Sequence, residues 1–180
     1  MILIDEIQSP LGCIAIAARD GRLCALEFGR ARLARQLAGR YPDVPRRHTR
    51  NPFGLSVKVR AYLAGDLAAV DRIPVETGGT PFQQRVWRAL RRIPAGHTMS
   101  YGALARALGV GAAARAVGAA NGRNPISLVV PCHRLIGGDG ALTGYGGGLW
   151  RKRWLLCHEG AQPRAMGTRS ASGRPRGRSH

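Results

Sequence analysis

Val129-Val130-Pro131-Cys132-His133-Arg134-Leu135-Ile136 is the stretch around which the rest of the chain is organised. An apolar run delivers a thiol, an imidazole and a guanidinium in direct succession, and it reads as a buried strand that stops at a nucleophile. The thiolate is the reactive form of cysteine. An ordinary cysteine titrates near about 8.5, so a neighbouring base or cation raises the reactive fraction at neutral pH. Adjacent side chains of a regular strand point to opposite faces. Cys132 and His133 therefore share a pocket only if the backbone turns, which Pro131 would favour, or if a water bridges thiol and imidazole. Alone, a Cys-His pair is weak evidence, because unreactive buried cysteines are common.

Downstream, Gly137-Gly138-Asp139-Gly140 reads as a turn, and residues 142–148 as a glycine-rich loop around Tyr145. Glycine lets the backbone come close to a flat ligand. A last helix is predicted over residues 149–158, with Trp150, Trp154 and Leu155 toward the core. Glu159 follows at its C-terminal end, where the helix dipole disfavours an acid, and a broken local rule hints at function.

Upstream, Thr80 and Pro81 open a helix as N-cap and first residue, with an apolar stripe of Phe82, Val86, Trp87 and Leu90. Ser100 caps a second helix over residues 101–108, Gly109-Val110-Gly111 turns the chain, and a third helix is predicted over 112–120. Helix, short glycine turn and helix make the layout of a helix-turn-helix. The third helix carries only Ala, Val and Gly apart from Arg115. Small residues let its backbone approach another surface closely, with one long cation standing proud.

Residues 2–28 read as strands, with Asp20-Gly21 a strong hairpin signal. Cys13 and Cys24 sit within them as core residues. Helices are predicted over residues 30–40, with Leu33 and Leu37 on one face, and 55–64, with Leu55, Val59, Tyr62 and Leu63 inward. The expected division is an N-terminal α/β domain over 1–77, a C-terminal domain over 78–160 and a disordered basic tail over 161–180.

The chain has 180 residues and a net charge of +18, which suits a polyanionic partner. All its 28 basic residues except Lys58 and Lys152 are arginine. Codon bias explains arginine in place of lysine but not the scarcity of acids. Cys13, Cys24, Cys132 and Cys157 form no CxxC pair, which argues against a compact zinc knuckle. No signal peptide or run of ~18 apolar residues is apparent, so a reducing cytoplasm is the expected home.

The order and spacing of Thr80-Pro81-Phe82-Gln83-Gln84-Arg85-Val86-Trp87, Ser100-Tyr101, Ala114-Arg115-Ala116-Val117-Gly118, Asn121 to Pro125, Pro131-Cys132-His133-Arg134, Gly144-Tyr145 and His158-Glu159-Gly160 resemble those of the O6-alkylguanine-DNA alkyltransferases. The N-terminal third matches only in layout. The resemblance implies an α/β (α+β) fold. Its N-terminal part is a small antiparallel sheet with helices in a ribonuclease H-like layout. Its C-terminal part is mostly helical, with the helix-turn-helix and a short active-site hairpin. It implies DNA repair by direct reversal: Cys132 attacks the alkyl carbon on O6 of a flipped guanine, irreversibly and once per chain.

The same resemblance assigns residues. His133 takes the thiol proton through water, Glu159 orients and charges that imidazole, and Asn124 braces the turn before the cysteine. Tyr101 crowds the target phosphate and its hydroxyl protonates the leaving base. Tyr145 lines the pocket, the Gly146 amide faces O6, and the carbonyls of Cys132 and Leu135 accept from the exocyclic amine. Arg115 intercalates where the base was, on a helix whose Ala114, Ala116 and Asn121 meet DNA. Arg134 makes a structural contact. The partner is double-stranded DNA containing O6-alkylguanine, with O4-alkylthymine a further candidate. The protein is expected to be a monomer, with cooperativity on DNA left open; no cofactor is implied, and no full set of zinc ligands is seen near the N-terminus, although some relatives hold a structural zinc there. Gly146 stands where the family often has Ser or Ala, and Gly147-Gly148 lengthen the run, so the pocket is expected to be wider or its loop looser. Two other classes compete: a non-repairing alkyl-lesion sensor of the same fold, which lacks the cysteine, and a cysteine hydrolase, for which no oxyanion hole is evident.

Overall fold

The computed structural model of the chain describes residues 1–161. Runs of apolar and β-branched residues form β1 (Ile2–Ser9), β2 (Gly12–Arg19) and β3 (Arg22–Phe28). Asp20 and Gly21 both take positive φ, 50° and 75°, as a two-residue turn between twisted strands requires. The chain then crosses the sheet as α1 (Arg30–Arg40) and returns as β4 (Arg46–His48). A crossover brings the chain back in the same direction, so β4 pairs with β1 in parallel and the strand order is β3-β2-β1-β4. The sheet is therefore mixed, with one parallel edge added to the expected antiparallel strands.

Leu33 and Leu37 of α1 cover one sheet face over Ile2, Ile4, Ala17 and Cys24. The other face supplies Ile7, Ile14, Ile16, Leu26 and Phe28 to a core shared with α2 (Leu55–Leu63) and with the C-terminal half. Backbone bonds cross as well: Leu26 N–H donates to Pro125 (3.1 Å) and Ser127 N–H to Leu26 (3.1 Å). β3 thus holds the segment that leads to Cys132.

The C-terminal half contains α3 (Pro81–Leu90), β5 (Met99–Ser100), α4 (Tyr101–Ala107), α5 (Ala114–Gly122), β6 (Leu135–Ile136) and α6 (Leu149–His158). Thr80 and Gln83 close a reciprocal capping box on α3, and the Ser100 hydroxyl accepts from Ala103 N–H on α4. α4, its turn and α5 form the helix-turn-helix, with α5 starting two residues later than predicted. Trp87 Nε1–H fixes α3 to α5 by donating to the Ala120 carbonyl at 2.9 Å.

Three expectations need correction. β5 and β6 pair in parallel, so among the described residues the active-site segment joins a parallel pair rather than a hairpin. Val129 and Val130 form no strand: Leu128 takes a left-handed φ of 73°, and successive turns carry residues 126–134. An apolar run buried on all sides looks alike in both geometries, and the Asn124 amide already occupies the Val130 carbonyl. On α6, Trp150 faces solvent at 53% exposure, while Lys152 is fully buried and Trp154 half-buried. The expected tail lies outside the described residues from 162 onward, whereas Ala161 packs with Leu142 and Leu156.

Candidate active site

Pro131 has no N–H to extend a ladder, and Cys132–Arg134 coil into one turn of 3-10 helix. Successive side chains then diverge by about 120° rather than 180°, and all three are buried. The turn removes the strand alternation that would put the adjacent Cys and His on opposite faces.

His133 Nε2 lies 2.9 Å from Glu159 Oε1. Glu159 caps the C-terminus of α6. It also accepts from the Tyr62 hydroxyl at 2.6 Å and from Arg134, through Nε at 3.0 Å and Nη2 at 2.8 Å. Arg134 Nη1 donates to the Ile93 carbonyl, tying the turn after α3 to the end of α6. Burial alone would raise the Glu159 pKa. The hydrogen bonds from His133 and Arg134, with the charge of Arg134, outweigh it and hold the carboxyl well below its usual range. These partners explain an acid at a helix C-terminus.

Burial pushes His133 below the ordinary imidazole value against the pull of Glu159, so the ring is neutral at neutral pH. A carboxylate only accepts, so Nε2 carries the proton and Nδ1 carries the free lone pair. Nδ1 is buried and has no partner among the described residues. It is a base with nothing to accept from.

Burial pushes the Cys132 thiol up to about 11, and the Asn124 amide and Lys152 charge pull it back only in part. Asn124 braces the preceding turn: its Nδ2 donates to Val130 O (2.7 Å) and its Oδ1 accepts from Ile126 N–H (3.0 Å). Lys152, one of the two lysines, was missed as a site residue; its rarity in an arginine-rich chain was the available signal. Burial lowers its pKa to about 8, opposed by Cys132. Its ammonium donates to the Thr143 carbonyl at 2.7 Å.

Tyr101 begins α4, packs its ring beside Gly118, and reaches the Thr143 carbonyl only at 3.4 Å. The Tyr145 hydroxyl is buried without a partner among the described residues, and burial first, then neighbouring charge, pushes its pKa well up. Gly146 is exposed, and Leu135 pairs with Met99 while donating its N–H to the Cys132 carbonyl. On α5, Arg115 and Ala116 are exposed and Ala114 half-buried. Asn121 is a correction: it is buried on the inner face of α5 with Val117 and Ala120, so its side chain is not on the outer face. Gly147 is another. Its position abuts the Phe28 ring, so the run is packed against β3 at this residue, while Gly146 stays exposed. Among the described residues, no group of three or more His, Cys, Asp or Glu is placed to hold a metal ion.

A small α/β layer, a helix-turn-helix and a buried cysteine backed by a His-Glu pair define the class: a DNA-binding protein built around a thiol. Residues 81–161 match the family model of the 6-O-methylguanine DNA methyltransferase DNA-binding domain, and residues 3–77 that of its ribonuclease-like domain. The chain belongs to the 6-O-methylguanine DNA methyltransferase family. It is 51% identical to a methylated-DNA--protein-cysteine methyltransferase of Shigella flexneri over 164 residues, 88% of this chain and 96% of that one. A protein of the same name from Mycolicibacterium paratuberculosis is 46% identical over 162 residues, 88% and 93% of the two chains. The Mycobacterium tuberculosis OGT in complex with DNA superposes with a TM-score of 0.72 at 40% identity, over 88% of this chain and 92% of that one.

Proposed function

We propose that the protein repairs DNA by direct reversal, moving an alkyl group, methyl in the first instance, from O6 of a flipped guanine in duplex DNA to Cys132. The observation that carries this reading is the buried His133–Glu159 pair, with its free Nδ1, in the same turn as Cys132. His133 Nδ1 takes the thiol proton through a bridging water, and Glu159 stabilises the imidazolium that forms. Sγ attacks the alkyl carbon, the S–C bond forms as the C–O6 bond breaks, and guanine leaves. Its proton comes from the Tyr101 hydroxyl, whose long contact to Thr143 leaves it free to turn.

The Tyr145 hydroxyl and Gly146 amide line the base pocket, with the carbonyls of Cys132 and Leu135 toward the exocyclic amine. Arg115 fills the space of the extruded base, whose removal from the stack costs a few kcal/mol. Its planar cation both stacks and donates. The thioether product is stable, so each chain acts once. O4-alkylthymine is a weaker candidate substrate.

Mass spectrometry after incubation with a duplex containing O6-methylguanine tests the reading. One added methyl per chain is expected on Cys132, and none in Cys132→Ala. Release of demethylated guanine beyond one equivalent of protein would favour a hydrolase. DNA binding without any transfer would favour a lesion sensor.

A further inference from the structure

The loop at residues 143–148 is held at both ends by neighbouring residues of α6. Lys152 donates to the Thr143 carbonyl, while Arg151 Nη1 donates to the Gly147 carbonyl at 2.7 Å. Arg151 does more. Its Nε donates to the Leu11 carbonyl at 2.8 Å, in the turn between β1 and β2, and its guanidinium stands 5.1 Å from the centre of the Phe28 ring. Phe28 ends β3 and is buried. A Cβ on Gly147 would lie 2.6 Å from that ring and 2.8 Å from Tyr145, so the loop backbone is pressed directly onto the N-terminal sheet. Tyr145 meets Phe28 at 6.1 Å between ring centres.

We infer that Phe28 and Arg151 are positioning residues by which the N-terminal domain sets the alkyl-size selectivity of the pocket. The inference rests on the proposed transfer to Cys132. Tyr145 and Gly146 lie between the two carbonyl anchors, so their distance from Cys132 depends on where Gly147 is pinned. A loop clamped against a buried aromatic ring cannot retreat from a bulky alkyl group. One released from Arg151 can, and it then holds a methylated base less well. Both contacts come from charged donors to backbone carbonyls, each worth about tenfold in an equilibrium when lost.

The test is single-turnover transfer from duplexes carrying O6-methylguanine or O6-benzylguanine, with wild type, Arg151→Met, Arg151→Lys and Phe28→Leu. In Arg151→Met the methyl-to-benzyl rate ratio is expected to fall about tenfold. Arg151→Lys, which can still reach one carbonyl, recovers part of it, and Phe28→Leu, which keeps an apolar contact but shortens the wall, lowers the ratio too. Equal loss on both substrates in Arg151→Met and Phe28→Leu, or an unchanged ratio, overturns the inference. Should Arg151→Met fail to fold, the Phe28→Leu ratio decides alone. A wild-type protein that transfers from neither duplex would instead overturn the proposed function.

Discussion

Replacing Glu159 with Gln tests the centre of the site at nearly constant shape. Glu159 accepts four hydrogen bonds, one each from Tyr62 and His133 and two from Arg134. The amide oxygen of Gln can keep the three that meet at Oε1. Its NH2 then faces Arg134 Nε, a donor against a donor, and a guanidinium with a 3% exposed side chain is left without a counter-charge. Removing one partner of a buried ion pair costs about 3–5 kcal/mol. For a protein of this size that lowers the melting midpoint by roughly 6–20 °C. Proton removal suffers as well, because a neutral Gln no longer stabilises the imidazolium, and single-turnover transfer is expected to slow about a hundredfold. Calorimetry gives the first number and quenched-flow transfer the second. Arg134→Met with Glu159→Gln removes both charges, and the double variant should be more stable than the two losses added together. A midpoint for Glu159→Gln within about 2 °C of wild type would refute the reasoning.

Three further expectations follow from the same geometry. Arg115→Ala, on an exposed position of α5, should slow transfer from duplex DNA far more than transfer from the free alkylated base, since only the duplex needs a flipped state held open; equal loss on both would place Arg115 elsewhere. Acid should destabilise the fold in two stages. His133 and Glu159 both titrate lower folded than at their ordinary values of 6.5 and 4.5, so the unfolded chain binds more protons, and stability falls below pH 6.5 and again below 4.5. Urea midpoints that stay flat from pH 7.5 to about pH 5 would contradict the His133 part. Asn124→Ala leaves the Val130 carbonyl and Ile126 N–H unpaired in the interior, a loss of about 2–4 kcal/mol by denaturant unfolding, and should push the thiol titration, followed by thiolate absorbance, above its already raised value.

Much of this was legible in the residues. Thr80-Pro81 and Ser100 fixed two helix starts because capping is local chemistry. Asp20-Gly21 fixed a hairpin for the same reason. Glu159 stood out as an acid where a helix end disfavours one. What failed to show depends on long-range partners. The parallel β5–β6 pair joins Met99 to Leu135, and nothing near either residue announces the other. β4 is three exposed residues, Arg46–His48, with no apolar pattern to mark it. Trp150 and Lys152 exchanged the places that polarity suggests, because Lys152 finds the Thr143 carbonyl inside and Trp150 stacks under Arg151 at 4.3 Å outside. Asn121 fell on the inner face because the register of α5 is set by Val117 and Ala120.

The resting state of Cys132 bears on how such a site works. Burial holds the thiol above its ordinary value, so it rests protonated at neutral pH. Many cysteine nucleophiles are activated by a depressed pKa, and this one rests in the opposite condition. The difference is understandable from the placement of charge. Arg134, the nearest cation in sequence, is committed to Glu159, and Lys152 points its ammonium at Thr143. Arg134 is thus unavailable to the sulfur, and the Lys152 charge offsets the burial of the thiol only in part. In the proposed transfer, proton removal accompanies attack, and the neutral His133 with its unpartnered buried Nδ1 is the base assigned to it. A protonated thiol on a buried residue is also a poor target for oxidants, since they react with thiolate. If Cys132 is consumed in a single transfer, as proposed, staying unreacted until the alkylated base arrives matters more than a fast second cycle.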